Sequence, residues 1–216
     1  MQLFILAIGT LMPLNAFSHG GGLDSNGGHT DRKLGAYHCH QDYCQPKAET
    51  TVKVEKKGYD RKQWRHWIDE DGDCQNTRAE ILIFTSIKPV AFRNSKGCSV
   101  SSGNWYGVYS GKYWSLASDL DIDHIVPLYW AYHHGGSQWS QDKKSKFAND
   151  IENLLAVEDG LNQAKGAKGP DKWMPPNKGY QCEYVKRFDN IVNKYRLTYN
   201  SVESSYISRF LKQCGI

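Results

Sequence analysis

No apolar run in this chain reaches the roughly 20 residues that a membrane helix needs; the run from Leu3 to Leu14 stops well short. A membrane span in the mature chain is therefore not expected. The sequence has no internal repeat, which excludes solenoid and propeller architectures. It has no large excess of either charge: the formal net charge is +4, and no residue among the first eighteen contributes to it. A mildly basic chain is compatible with a phosphate-rich partner without demonstrating one. Nothing in it looks like a helix-turn-helix or a zinc finger, so a dedicated module for reading base sequence is not expected. With 216 residues the chain is also too short for two ordinary domains, which leaves one main core and a small appendage.

What is present reads as an exported globular protein. Hydrophobic residues make up 39% and charged residues 23%, values that exclude a disordered chain. Residues 1–18 end in Asn-Ala-Phe-Ser, with Ala16 and Ser18 at the small-residue places of a signal-peptidase site. Cleavage before His19 is the simplest reading, with a cut after Ala16 as the alternative, and a periplasmic or secreted location follows. In such a compartment the six cysteines favour disulfides. Cys182 and Cys214 sit on two successive helical patterns, and Cys74 and Cys98 bracket a helix and a strand, so both pairs are expected to be local. That leaves Cys39 with Cys44.

Residues 19–46 are rich in Gly and His, and 47–58 form a polar, Lys-rich linker. From residue 59 to 216 the pattern is that of a folded domain. Trp64, Trp67 and Ile68 lie at helical spacing, and Thr77-Arg-Ala-Glu80 predicts a capping box opening a helix through Ile87. Short strands are expected at Val90–Phe92, Cys98–Val100, Trp105–Tyr109 and Leu120–Ile125, in one small antiparallel sheet. Ser140 is placed to cap a helix through Asn149; Tyr184, Phe188, Ile191 and Tyr195 mark another, and Asn200 with Glu203 opens a last one. The predicted fold class is α+β.

The chemistry concentrates in Asp121-Ile-Asp-His-Ile-Val-Pro-Leu128, then Ile151-Glu-Asn-Leu-Leu-Ala-Val157, then Leu161-Asn-Gln-Ala-Lys-Gly166. Each stretch alone is a weak signal, but together they resemble the HNH (ββα-metal) endonuclease motif. There an Asp-His-Ile-x-Pro strand is followed by Asn-Leu and then by an Asn or His on the metal-binding helix. The nine-residue step from Asn153 to Asn162 looks like that of the HNH domain in RNA-guided CRISPR nucleases. The wider run from Leu120 through Lys165-Gly-Ala-Lys-Gly-Pro170, Trp173 and Pro175-Pro176 to Cys182 resembles secreted HNH nucleases related to the C-terminal domain of GmrSD-type restriction enzymes. The similarity extends over most of residues 59–214.

The resemblance implies a ββα-metal hairpin and helix surrounded by further helices and held by disulfides. It makes His124 the general base, a role that suits the side chain titrating nearest neutral pH. Asp123 and Asn162 become the protein ligands of a divalent ion, and hard oxygen donors with the remaining positions left to water suit Mg²⁺, with Mn²⁺ able to substitute. Asn153 is implied to hold the loop carrying the base. Asp121 shares a strand face with Asp123 and is a candidate supporting or alternate ligand. Lys165 and Lys168 are candidate phosphate contacts. The chain lacks the Cys-x-x-Cys pairs of zinc-stapled HNH domains, and disulfides are expected in their stead. A monomeric enzyme acting mainly on DNA, with RNA as a further candidate substrate, is the expectation.

Two other features stand apart. His19, Asp24, His29, His38, Cys39 and His40 resemble a small exported module ending in Tyr-His-x-His, a cluster suited to Zn²⁺ or Cu²⁺. A non-enzymatic metal-binding envelope protein working through that cluster is the competing expectation. Asp69, Asp71 and Asp73 echo the start of a Ca²⁺ loop, but the distal Glu is missing from its required place, and a polar turn is expected. His133 and His134 are read as surface rings of a turn.

Overall fold

The computed structural model describes residues 23, 25, 27–30, 37–41, 44 and 58–216, with Thr30 and His38 described by their backbone alone. The leader over 1–18, His19, Asp24 and nearly all of the 47–58 linker lie outside the described residues. The chain divides into two compact units, Met1–Lys56 and Lys57–Ile216.

In the first unit β1 (Gly28–Thr30) and β2 (Tyr37–Cys39) form an antiparallel hairpin with His29 opposite His38. Cys39 is bonded to Cys44.

The second unit runs α1 (Thr77–Thr85), β3 (Ala91–Phe92), β4 (Val100–Gly107), β5 (Lys112–Leu116), β6 (Leu120–His124), α2 (Leu128–His133), α3 (Gln141–Ala148), β7 (Leu154–Glu158), α4 (Asp159–Lys165), α5 (Gln181–Tyr195) and α6 (Ser201–Gln213). Its strands form two separate sheets, β3-β4-β5 and the hairpin β6-β7, instead of the single sheet expected. The two short strands expected around Val100 and Trp105 are one continuous β4, bulged between Ser102 and Trp105.

The β6-β7 hairpin separates two cores because its side chains alternate. Leu120 and Ile122 face a smaller core with Ile81, Leu82, Trp105 and Leu154. Val157 and the chain beyond β6, Ile125 and Val126, enter a larger core built on Trp64, Phe147, Tyr184 and Phe188. Disulfides Cys74–Cys98 and Cys182–Cys214 fasten the α1–β4 and α5–α6 connections.

The predicted caps of the later helices are present. Ser140 accepts from Lys143 N at the start of α3, and Asn200 and Glu203 complete a reciprocal capping box on α6. At α1 the cap is Asn76, which accepts from Ala79 N, while the Thr77 hydroxyl donates to Ile68 O and to Asn149 Oδ1. The helix expected across Trp64, Trp67 and Ile68 is absent: a single 3₁₀ turn over Arg61–Gln63 is followed by irregular chain, with Trp67 at φ 58°. The physical reason is that the two indoles serve different cores, Trp64 the larger and Trp67 the smaller, so their spacing does not mark one face. No helix among the described residues is long and apolar enough to cross a membrane.

Candidate active site

The site grows from the β6-β7 hairpin and the helix that follows it directly. Strand neighbours two apart share a face, and so do helix residues three apart. That pairing brings Asp121 and Asp123 of β6 against Asn162 and Lys165 of α4. Asn162 Nδ2 donates to Asp121 Oδ2 at 2.9 Å, and Lys165 Nζ donates to Asp123 Oδ1 at 2.9 Å. Lys165 also donates to His124 O at 2.9 Å, tying the strand end to the helix. The other carboxylate oxygen of Asp123 accepts from the Tyr109 hydroxyl at 2.7 Å.

Asn153 closes the loop after β6. Its Oδ1 accepts from Val126 N at 2.8 Å, its Nδ2 donates to Val126 O at 3.3 Å, and its backbone carbonyl accepts from Ile125 N at 2.8 Å. The side chain is fully buried, so each bond replaces one that water cannot supply there.

His124 is fixed on three sides. Its Nε2 lies 2.8 Å from Ala148 O. A carbonyl only accepts, so Nε2 carries the proton and Nδ1 keeps the lone pair of the neutral ring. Trp67 stacks on the imidazole with centroids 5.8 Å apart and planes 26° apart, and His66 meets it edge-on at 6.4 Å. Burial pulls the imidazole down from 6.5 to about 3; the Ala148 hydrogen bond opposes this, and the charges of Arg61 and Lys165 add to it. Burial also pushes the Asp123 carboxyl up and the Lys165 amine down, and the contact between the two groups opposes both shifts. Tyr109, enclosed beside Asp123, is driven well above its ordinary value by the same burial.

Asp123, His124 and Asn162 line one cleft of about 380 Å³, rimmed by Tyr59, Arg61 and Tyr129. Asp123 and Asn162 are hard oxygen donors, and Asn162, held through its Nδ2, leaves its carbonyl oxygen uncommitted among the described residues. With Asp121 behind them this set fits a small, oxygen-preferring divalent cation.

The structure corrects three of the expectations from sequence, at Lys165, Cys39 and His134. Lys165 is not a free phosphate contact: its side chain is 0% exposed and committed to Asp123. Cys39 offers no thiolate to a metal, because it is bonded to Cys44. Lys168 is exposed, donates to Ala164 O at 2.8 Å and does not line the cleft. In the N-terminal unit His29 and His40 bring their Nε2 atoms within 3.3 Å of each other. Asp69, Asp71 and Asp73 form an exposed turn, closed by Asp69 accepting from Gly72 N and Cys74 N. His134 is not a loose surface ring: it stacks on Trp130 at 3.5 Å and pairs with Glu203 at 2.9 Å. Sequence reasoning missed Arg61, Trp67 and Tyr109, whose placement depends on the path of the chain and leaves no local signature.

Residues 75–204 match the family described as GmrSD restriction endonucleases, C-terminal domain. An uncharacterized secreted protein of Arthroderma benhamiae is 38% identical over 159 residues, which cover 73% of this chain and 76% of that protein. No solved structure matches. With its Asp-His hairpin, its Asn-bearing helix and this match over most of the second unit, the chain belongs to the GmrSD restriction endonuclease C-terminal domain family, a family of nuclease-type domains.

Proposed function

We propose that the chain is an exported, divalent-metal-dependent endonuclease of the HNH type that hydrolyses DNA, and RNA as a second substrate, with little sequence preference. The observation that carries this reading is the state of His124. Its Nε2 lies 2.8 Å from Ala148 O, an acceptor that leaves Nδ1 as the lone-pair nitrogen of the neutral ring, and the ring shares a cleft with Asp123 and Asn162.

In this reading His124 Nδ1 takes a proton from the water whose oxygen bonds to phosphorus. The bond from phosphorus to the 3′ oxygen breaks, the departing oxygen takes a proton from solvent, and the products are a 5′-phosphate and a 3′-hydroxyl. Asp123 and Asn162, supported by Asp121, would hold Mg²⁺ or Mn²⁺, which supplies positive charge to the phosphate and departing oxygen. Trp67 and Ala148 orient the imidazole, and Asn153 keeps the loop beyond it in register. Lys165 and Tyr109 fix the Asp123 carboxylate. The secreted relative supports export.

Purified protein incubated with supercoiled plasmid tests the reading: nicking and linearisation with Mg²⁺ or Mn²⁺, abolished by EDTA, is the expected result. No cleavage with either ion would remove it.

The close Nε2 atoms of His29 and His40 favour a second role, in which the N-terminal unit binds Zn²⁺ or Cu²⁺. Calorimetric titration of either ion into wild-type protein and a His29→Ala/His40→Ala variant tests it; binding that survives the substitutions contradicts it.

A further inference from the structure

Phosphodiester hydrolysis places negative charge on the phosphate oxygens, and a cleft serving it needs a cation that is free to meet them. Lys165 is consumed by Asp123, and Lys168 does not line the cleft. Among the described residues lining the cleft, Arg61 is the sole Lys or Arg. It is exposed, its side chain meets the Tyr59 hydroxyl in the same cleft, and no carboxylate of the described residues lies within ion-pair distance of it.

Its backbone is well anchored despite belonging to an irregular segment. The 3₁₀ turn that carries Arg61 is capped by Asp60, which accepts from Lys62 N at 2.9 Å. Gln63 Oε1 accepts from Lys144 Nζ at 3.2 Å, Arg65 O accepts from Asn149 Nδ2 at 2.7 Å, and Trp64 is wedged between Trp139 and Phe147. A preset backbone lowers the ordering cost of gripping a ligand. Arg61 and His124 line the same cleft. This whole segment precedes residue 75, where the match to the family begins.

The geometry points to Arg61 as the phosphate clamp of this site: a catalytic residue, supplied by the segment ahead of the family domain, whose guanidinium binds the non-bridging oxygens of the phosphate facing His124. The inference rests on the nuclease reading for the identity of the anion. A guanidinium suits the task because its fork of donors matches two phosphate oxygens and it stays charged at every working pH.

Full-length wild type, Arg61→Ala, Arg61→Lys and Lys62→Ala are compared in two assays. Lys62 is the neighbouring exposed cation of the same turn and does not line the cleft. In plasmid cleavage with Mg²⁺, Arg61→Ala lowers kcat/KM about 100-fold, Arg61→Lys recovers part of the loss, added guanidinium restores part of the Arg61→Ala rate, and Lys62→Ala stays within about twofold. In EDTA, binding of a short duplex DNA followed by fluorescence anisotropy weakens for Arg61→Ala, with its salt slope reduced by about one. Wild-type cleavage with an undiminished Arg61→Ala rate, or equal losses at Arg61 and Lys62 in either assay, overturns the clamp. Arg61-dependent DNA binding without cleavage by wild type removes the nuclease reading and the catalytic role, and leaves Arg61 as a phosphate-binding residue.

Discussion

Lys165 Nζ donates to Asp123 Oδ1 at 2.9 Å with the lysine side chain 0% and the aspartate side chain 6% exposed, so the carboxylate at the heart of the cleft is partnered before any substrate arrives. The arrangement couples α4 to β6 electrostatically as well as sterically. It also makes each partner dependent on the other, since a buried charge without its mate is costly.

Replacing Lys165 with Met is therefore expected to destabilise the protein by about 3 kcal/mol or more. The Asp123→Asn/Lys165→Met double variant should lose less than the sum of the single losses. Urea denaturation of the four proteins measures the coupling, and additive losses would show that the ion pair contributes nothing.

The buried imidazole predicts a pH dependence in metal-free protein. His124 titrates at about 3 when folded, against 6.5 ordinarily. Between those values the unfolded chain binds a proton that the folded chain refuses, so the stability contributed by neutral His124 is complete above 6.5 and is lost as pH falls toward 3. One such proton gives a slope of about 1.4 kcal/mol per pH unit, or about 4 °C in Tm for a unit of this size. Melting curves in EDTA should be steeper for wild type than for His124→Asn by that amount. Parallel curves would contradict the burial argument.

Trp67 touches His124 through its ring face. Trp67→Ala is expected to lower kcat about tenfold with KM little changed, because a 1 Å looseness in a base costs rate more than binding. Trp67→Phe should retain most of the rate. A change confined to KM would place Trp67 in substrate binding instead.

Removing the Cys182–Cys214 bridge, which spans a sequence separation of 32, should cost about 3 kcal/mol. α6 packs chiefly on α5. The loss should therefore appear in thermal unfolding of Cys182→Ser/Cys214→Ser while plasmid cleavage at low temperature persists; abolished cleavage in the folded variant would tie α6 to the site.

The parts of this protein that were legible in sequence are those whose chemistry is local. Ser140 and Asn200 announce helix starts because a capping oxygen must sit next to the amides it serves. Asp121 and Asp123 reveal a shared strand face through simple alternation, and Asn162 and Lys165 a shared helix face. What sequence could not deliver was the destination of each face. Lys165 reads as an exposed helix-end cation, yet α4 packs on β6 and β7 and the side chain is buried. Trp64 and Trp67 imitate helical spacing while filling two different cores. Tyr109 and Arg61 reach the site only because β4 and the segment before α1 converge on the hairpin, and no pattern of neighbouring residues encodes that convergence.

The role of His124 as the base of a phosphodiester hydrolase is tested most directly by the single-turnover rate of plasmid nicking by His124→Ala at saturating Mg²⁺. A loss of about 1,000-fold against wild type, in a protein that still folds and binds duplex DNA, is the predicted result. Nicking by the variant at the wild-type rate would contradict it.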